Sequence, residues 1–215
     1  HAAGSGIAYA KTAGIDRGHA GYEAVTAGVH AASEAFKNAP LDGISSHEEC
    51  GAAKLIYGLF SDDFRAQLRK EHGVQSPDEF GDYFAKALAE RLGKQYLGQI
   101  TIDAMSRPSG AHVARVTYID GTGTFNPASV DGFPKGFVVS RKYLGAEQTA
   151  LETGVSIDIA TGDHGYGDRI TKEQPHVLVI VGNPNDPKLS TDTLIKELRP
   201  LAEKYNGKVI IDGFT

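Results

Sequence analysis

The sequence predicts an α/β protein built on a central, mostly parallel sheet with helices on its faces. Three observations lead there. Strand-like and helix-like stretches alternate through much of the chain, the order that parallel βαβ crossovers produce. Val177-Leu178-Val179-Ile180-Val181 is an unbroken apolar run, as expected of a strand buried on both faces. Several helical stretches also carry their own start and stop signals, so their boundaries are written locally.

In order along the chain, residues 1–15 are small and glycine-rich, which reads as a loop or a short buried element. From Gly18 to Asn38, Tyr22, Val25, Val29, Ala32 and Phe36 recur at helical spacing and give one buried stripe. Pro40 and Gly43 punctuate it, and Ile44-Ser45-Ser46 reads as the end of a short strand. Ala52 to Phe60 is nearly all small or apolar, a buried helix. Ser61 followed by Asp62 and Asp63 is a helix start, with Gly73 as its stop. Ser76-Pro77-Asp78-Glu79 starts another, which continues through Phe80, Phe84, Leu88 and Leu92. Strands are expected at 98–106 and 112–120. The second closes on Asp120-Gly121, a hairpin signal. An extended stretch at 133–140, a helix over 142–159, a glycine-rich loop at 162–167, the strand 177–181, a helix from Ser190 to Asn206-Gly207 and a strand at 209–211 complete the reading.

The charge balance excludes some function classes. Over 215 residues, Lys+Arg is 22 and Asp+Glu is 27, a formal net charge of −5, so the basic excess of a nucleic-acid binder is missing. No apolar run approaches the roughly 18 residues of a membrane span, and no basic start leads into an apolar stretch, so neither a membrane partner nor a signal peptide is expected. The one cysteine, Cys50, forms no internal disulfide, which fits a reducing, cytoplasmic setting. The chain opens at His1 without a Met and stops just after a strand-like run, so both ends read as cut.

The segment with the most chemistry is Ser46-His47-Glu48-Glu49-Cys50-Gly51-Ala52-Ala53-Lys54. A strand–turn–helix at this point would bring His47 and Cys50 together, with a nitrogen and the sulfur each about 2.0–2.3 Å from one shared ion. Imidazole plus thiolate suits zinc, and a helix N-terminus favours the thiolate. The plainer alternative is a loop histidine beside a small buried hydrophobe.

The same residues, His-x-x-Cys-Gly-Ala-Ala-Lys between an apolar strand and an apolar helix, resemble the second zinc half-site of β-class carbonic anhydrases. The downstream pattern is closest to the cadmium carbonic anhydrase repeat. It includes His112–Asp120, Gly136–Gly145 and His176–Val181, and the N-terminal Gly4-Ser5-Gly6-Ile7-Ala8-Tyr9-Ala10 fits as well. The resemblance implies a β-carbonic-anhydrase-like domain over residues 1–181, with 182–215 as an α/β extension of the same domain. It implies a lyase that hydrates carbon dioxide, or a related small linear substrate, on zinc, cadmium or another divalent metal. A small-molecule substrate and a homo-oligomer follow from it too, although a cadmium-type repeat is already the size of a pseudo-dimer.

The sequence departs from that pattern in two ways besides its extension. The family's first half-site, Cys-x-Asp-x-Arg, is missing from this chain and is expected just before residue 1. The His47–Cys50 spacing is that of the ordinary β class rather than the wider cadmium type. The named ligands are therefore His47 and Cys50, with no catalytic residue assigned. The alternative is a non-catalytic protein that uses the same fold for structure or binding.

Other polar clusters read as structural. Asp16-Arg17, near His19, suggests a helix-start ion pair, and His30 a satisfied helix histidine. The 161–169 loop suggests a polar turn, or else a lid or subunit contact. Gly182–Pro187 follows a buried strand where anions often bind, but its prolines remove N–H donors, so it reads as a connector.

Overall fold

The computed structural model describes residues 5–100, 115–134, 136–162 and 169–214. The protein is mixed α/β, and among the described residues its strand pairings are all parallel. The described residues fall into two compact units, one within Gly4–Ala111 and one within His112–Thr215.

The first unit opens with the helix α1 (Ser5–Tyr9), a π-helical turn (Ala10–Gly14) and a 3₁₀ turn (Ile15–Arg17). Ile7, Ala8, Tyr9 and Ala10 are buried, so the small-residue start is a packed element. The helix α2 (Gly21–Phe36) buries Val25, Val29 and Ala32, the stripe that its spacing predicts. The strand β1 (Gly43–His47) leads into the helices α3 (Gly51–Leu59), α4 (Asp62–His72) and α5 (Pro77–Leu92), then the strand β2 (Gln95–Ile100). Ser61 caps α4 by accepting from the Phe64 N–H. Ser76 and Glu79 cap α5 reciprocally, each satisfying a backbone N–H that the helix cannot. Gly73 and Gly93 end these two helices in the left-handed region. The core is aromatic: Phe60 stands edge-on to Phe64 and Phe80, at 4.9 and 5.1 Å between ring centres. The strands β1 and β2 pair in parallel, with α5 packed on them.

The second unit is a four-stranded sheet in the order β4-β3-β5-β6, made of β3 (Val116–Asp120), β4 (Phe137–Ser140), β5 (His176–Val181) and β6 (Val209–Phe214). The helices α6 (Arg141–Thr161) and α7 (Thr191–Glu203) share one face, where Ile157, Leu178, Ala202 and Val209 form the core. There Thr117 Oγ1 lies 2.9 Å from both Ser156 Oγ and His176 Nε2, so buried polar atoms on β3, α6 and β5 satisfy one another. On the other face Val116, Tyr118 and Val181 are covered by Phe125 and Phe133 of the loop after β3. The strand β5 lies between β3 and β6, an inner strand as its composition predicts, with Val177 and Val179 half-buried. The stretch 182–214 adds a strand to this sheet, because β6 pairs with β5 along its length.

The structure changes three expectations. Among the described residues the strands form two sheets rather than one. Asp120-Gly121 is not a hairpin turn, since β3 and β4 run parallel. The buried Asp120 carboxylate instead accepts the N–H groups of Thr122, Gly123 and Phe125, at 2.7, 3.0 and 3.2 Å, which coils the chain locally. The long helix α6 is broken at Gly145, whose φ of 74° is outside the helical region. The expected strand residues 101–106 and 112–114, and residues 163–168 of the polar loop, lie outside the described residues.

Candidate metal half-site

The residue Cys50 stands at the N-cap of α3, three residues past the end of β1 at His47. The turn between them has two anchors. The Glu48 N–H donates to the Ile100 carbonyl at the end of β2 (3.0 Å), and the Glu49 N–H donates to Asp78 Oδ1 (2.9 Å). Glu49 takes a left-handed φ of 53°, which reverses the chain and starts α3.

This geometry brings His47 and Cys50 together. The thiol is buried, 7% exposed, and His47 is half-buried. Burial pushes the Cys50 thiol up. A hydrogen bond from His47, its charge, and the backbone N–H groups of Ala53 and Ala52 outweigh that and hold the thiol below its ordinary value. Those N–H groups face the sulfur without closing a cap of hydrogen-bond geometry. His47 Nδ1 lies 3.0 Å from the Glu48 carbonyl. A carbonyl only accepts, so Nδ1 carries a proton. Metal-binding histidines are commonly oriented in this way, by a carbonyl on the other ring nitrogen.

The donor set therefore fits a borderline-soft divalent ion such as zinc: one thiol biased toward thiolate and one imidazole oriented by a carbonyl on its Nδ1. Among the described residues no third His, Cys, Asp or Glu joins them.

Two carboxylates that the sequence reading passed over support this turn from α5. Asp78 holds Glu49, and Asp82 accepts from Ser46 Oγ at 3.1 Å and from the Tyr96 hydroxyl, and pairs with Lys86 Nζ at 2.6 Å. Their only trace in the sequence is acids four residues apart on a helix.

The remaining candidates are structural. Asp16 pairs with Lys11 at 2.9 Å rather than with its neighbour Arg17. His30 is exposed and lies 2.6 Å from Arg91 Nη2. Residues 183–189 are tied by their own turns, with the Asn183 N–H on the Leu189 carbonyl (2.8 Å). Two shallow depressions, one beside Arg91 and Lys94 and one beside Arg65 and Arg69, include neither His47 nor Cys50. No helix among the described residues is long and apolar enough to cross a membrane.

No family model, no curated protein and no solved structure matches this chain.

Proposed function

We propose that His47 and Cys50 are two protein ligands of a zinc ion, and that the chain is a β-carbonic-anhydrase-like lyase hydrating carbon dioxide or a related small linear substrate. One observation carries the reading. A buried thiol held below its ordinary value and an imidazole whose other nitrogen is tied to a carbonyl meet on one strand–turn–helix. The sequence resemblance supplies the reaction class.

Bound zinc would supply an acidified water, with a pKa near 7. The chain's own residues prepare for the ion. Cys50 contributes a negative charge that the start of α3 already favours. His47 would offer Nε2, released from its proton, in an orientation set by the Glu48 carbonyl. The Gly51-Ala52-Ala53 start of α3 keeps bulk away from the sulfur. The third ligand and the water-orienting group come from outside the described residues. The helix α1 packs on α3, the element that Cys50 caps.

The test is cadmium or cobalt titration of the purified chain, followed by metal–thiolate absorption, with zinc content measured in parallel. A band that vanishes in Cys50→Ser and weakens more than about tenfold in affinity in His47→Ala supports the site. Its absence in the unsubstituted chain refutes the metal reading and leaves the non-catalytic use of the fold. Carbon dioxide hydration is then measured on this chain and on one extended upstream. Full activity in the shorter chain would show that the missing groups lie within it.

A further inference from the structure

We infer that Asp78 and Asp82 are positioning residues for the His47–Cys50 pair, acting as a two-point clamp from α5; this rests on the metal reading above. The two carboxylates are one helical turn apart, so they lie on the same side of α5. Each grips the residue just ahead of a donor. Asp82 accepts from Ser46 Oγ (3.1 Å), and Ser46 precedes His47. Asp78 accepts from the Glu49 N–H (2.9 Å), and Glu49 precedes Cys50. The stretch 46–49 is thus fixed at both ends to one rigid element, and the four-residue rise from Asp78 to Asp82, about 6 Å, sets the spacing of the two grips.

The need for a clamp follows from the turn itself. Glu49 sits at φ 53°, a region that a side chain with a Cβ disfavours, so the turn persists only if its surroundings over-determine it. The Glu49 N–H lies beyond the last β1–β2 pair and is taken up by Asp78, a charge-bearing acceptor type. At the other end Asp82 is held by Tyr96 of β2 and by Lys86, so its grip on Ser46 is itself fixed. Ser46 is buried, and its hydroxyl lies 3.1 Å from the Tyr96 hydroxyl as well as from Asp82, so all three groups meet at one point. A metal site loses affinity when its ligands are held loosely, because the ion then has to order them.

The experiment compares Asp78→Ala, Asp78→Asn and Ser46→Ala in the full chain. Asp78→Asn keeps an oxygen acceptor for the Glu49 N–H but loses the charge, whereas Asp78→Ala loses both. Cadmium affinity is read from the thiolate absorption band, and chemical denaturation of the metal-free proteins reports folding. We expect Asp78→Ala to weaken cadmium by about tenfold or more, and Asp78→Asn to stay within about threefold of the unsubstituted chain. Ser46→Ala leaves Asp82 satisfied by Tyr96 and Lys86, so it should fold, and it should also weaken cadmium severalfold. Unchanged affinity in both alanine variants overturns the clamp. So does an Asp78→Asn loss equal to that of Asp78→Ala, which would mean that charge near the ion is what matters.

A metal-free readout separates this proposal from the reading on which it rests. The ring ¹⁵N resonances of His47 report its tautomer. They should show Nδ1 held protonated on the Glu48 carbonyl in the unsubstituted chain and in Asp78→Asn, and an exchange-averaged Nδ1 in Asp78→Ala. An unchanged spectrum in Asp78→Ala refutes the clamp even if no metal binds. A changed spectrum with no cadmium band in the unsubstituted chain upholds the clamp and refutes the metal reading.

Discussion

Asp82 shows how one carboxylate links stability to pH. Partial burial raises its pKa, but hydrogen bonds from Lys86, Tyr96 and Ser46 outweigh that and hold it below the usual carboxylate value. A depressed folded pKa means that the folded state prefers the ionised form. Its contribution is therefore fully present above the unfolded value, near 3.9, and is lost as pH falls through the lower folded value. Urea denaturation of the unsubstituted chain and of Asp82→Asn should show a stability gap that is widest near neutral pH and narrows below about pH 4. A gap independent of pH would mean that the ionised carboxylate contributes nothing to the network. The same residue shows what the sequence conceals. An acid at an exposed-looking helix position gives no sign that Ser46, 36 residues earlier, and Tyr96, 14 residues later, will converge on it. The His47–Cys50 meeting is legible because one strand end and one helix start decide it within four residues.

At the scale of elements, the start of the first unit depends on two close backbone approaches. A Cβ on Gly28 of α2 would lie 2.5 Å from the Cα and N of Ala10, and one on Gly14 would lie 2.5 Å from the Ala24 carbonyl oxygen. The atoms in the way are backbone, so they cannot rotate aside. Gly58, near the end of α3, has nothing within 4 Å of the same position. The two glycines should therefore respond oppositely to alanine. Gly58→Ala should gain up to about 1 kcal/mol from helix propensity. Gly28→Ala should lose roughly 2 kcal/mol or more, because overpacking exceeds that gain. Chemical denaturation of both variants checks this, and a stabilised Gly28→Ala would show that α2 and the π-helical turn are less tightly apposed. The caps of α4 and α5 are legible in the sequence because each involves residues within one turn. The direction of β3 against β4 is not. Asp-Gly reads the same in a hairpin as in a loop that Asp120 coils by accepting three N–H groups, and only pairing across the sheet tells the two apart.

At the scale of the whole molecule, the α/β class is legible from alternation and from the apolar β5 run, since both follow from what a parallel sheet must bury. The division into a two-stranded and a four-stranded sheet is not legible, because strand partners are chosen by contacts far apart in sequence. That division gives the metal proposal a consequence at the largest scale. Both proposed ligands and both clamping carboxylates belong to the unit within Gly4–Ala111. A ligand that binds only the folded form stabilises whichever cooperative unit holds its donors, by about 2.7 kcal/mol at one hundred times its Kd. Zinc at that level should therefore slow amide exchange in β1, α3, α5 and β2, while β3, β5, β6 and α7 exchange as before. Hydrogen exchange with mass-spectrometric detection, with and without zinc and with Cys50→Ser as control, resolves the two sets of peptides. Protection confined to β1–β2 and its helices, and abolished in Cys50→Ser, is the expected pattern. Equal protection of both sheets would show that the two units open together, and protection that survives in Cys50→Ser would place the ion elsewhere.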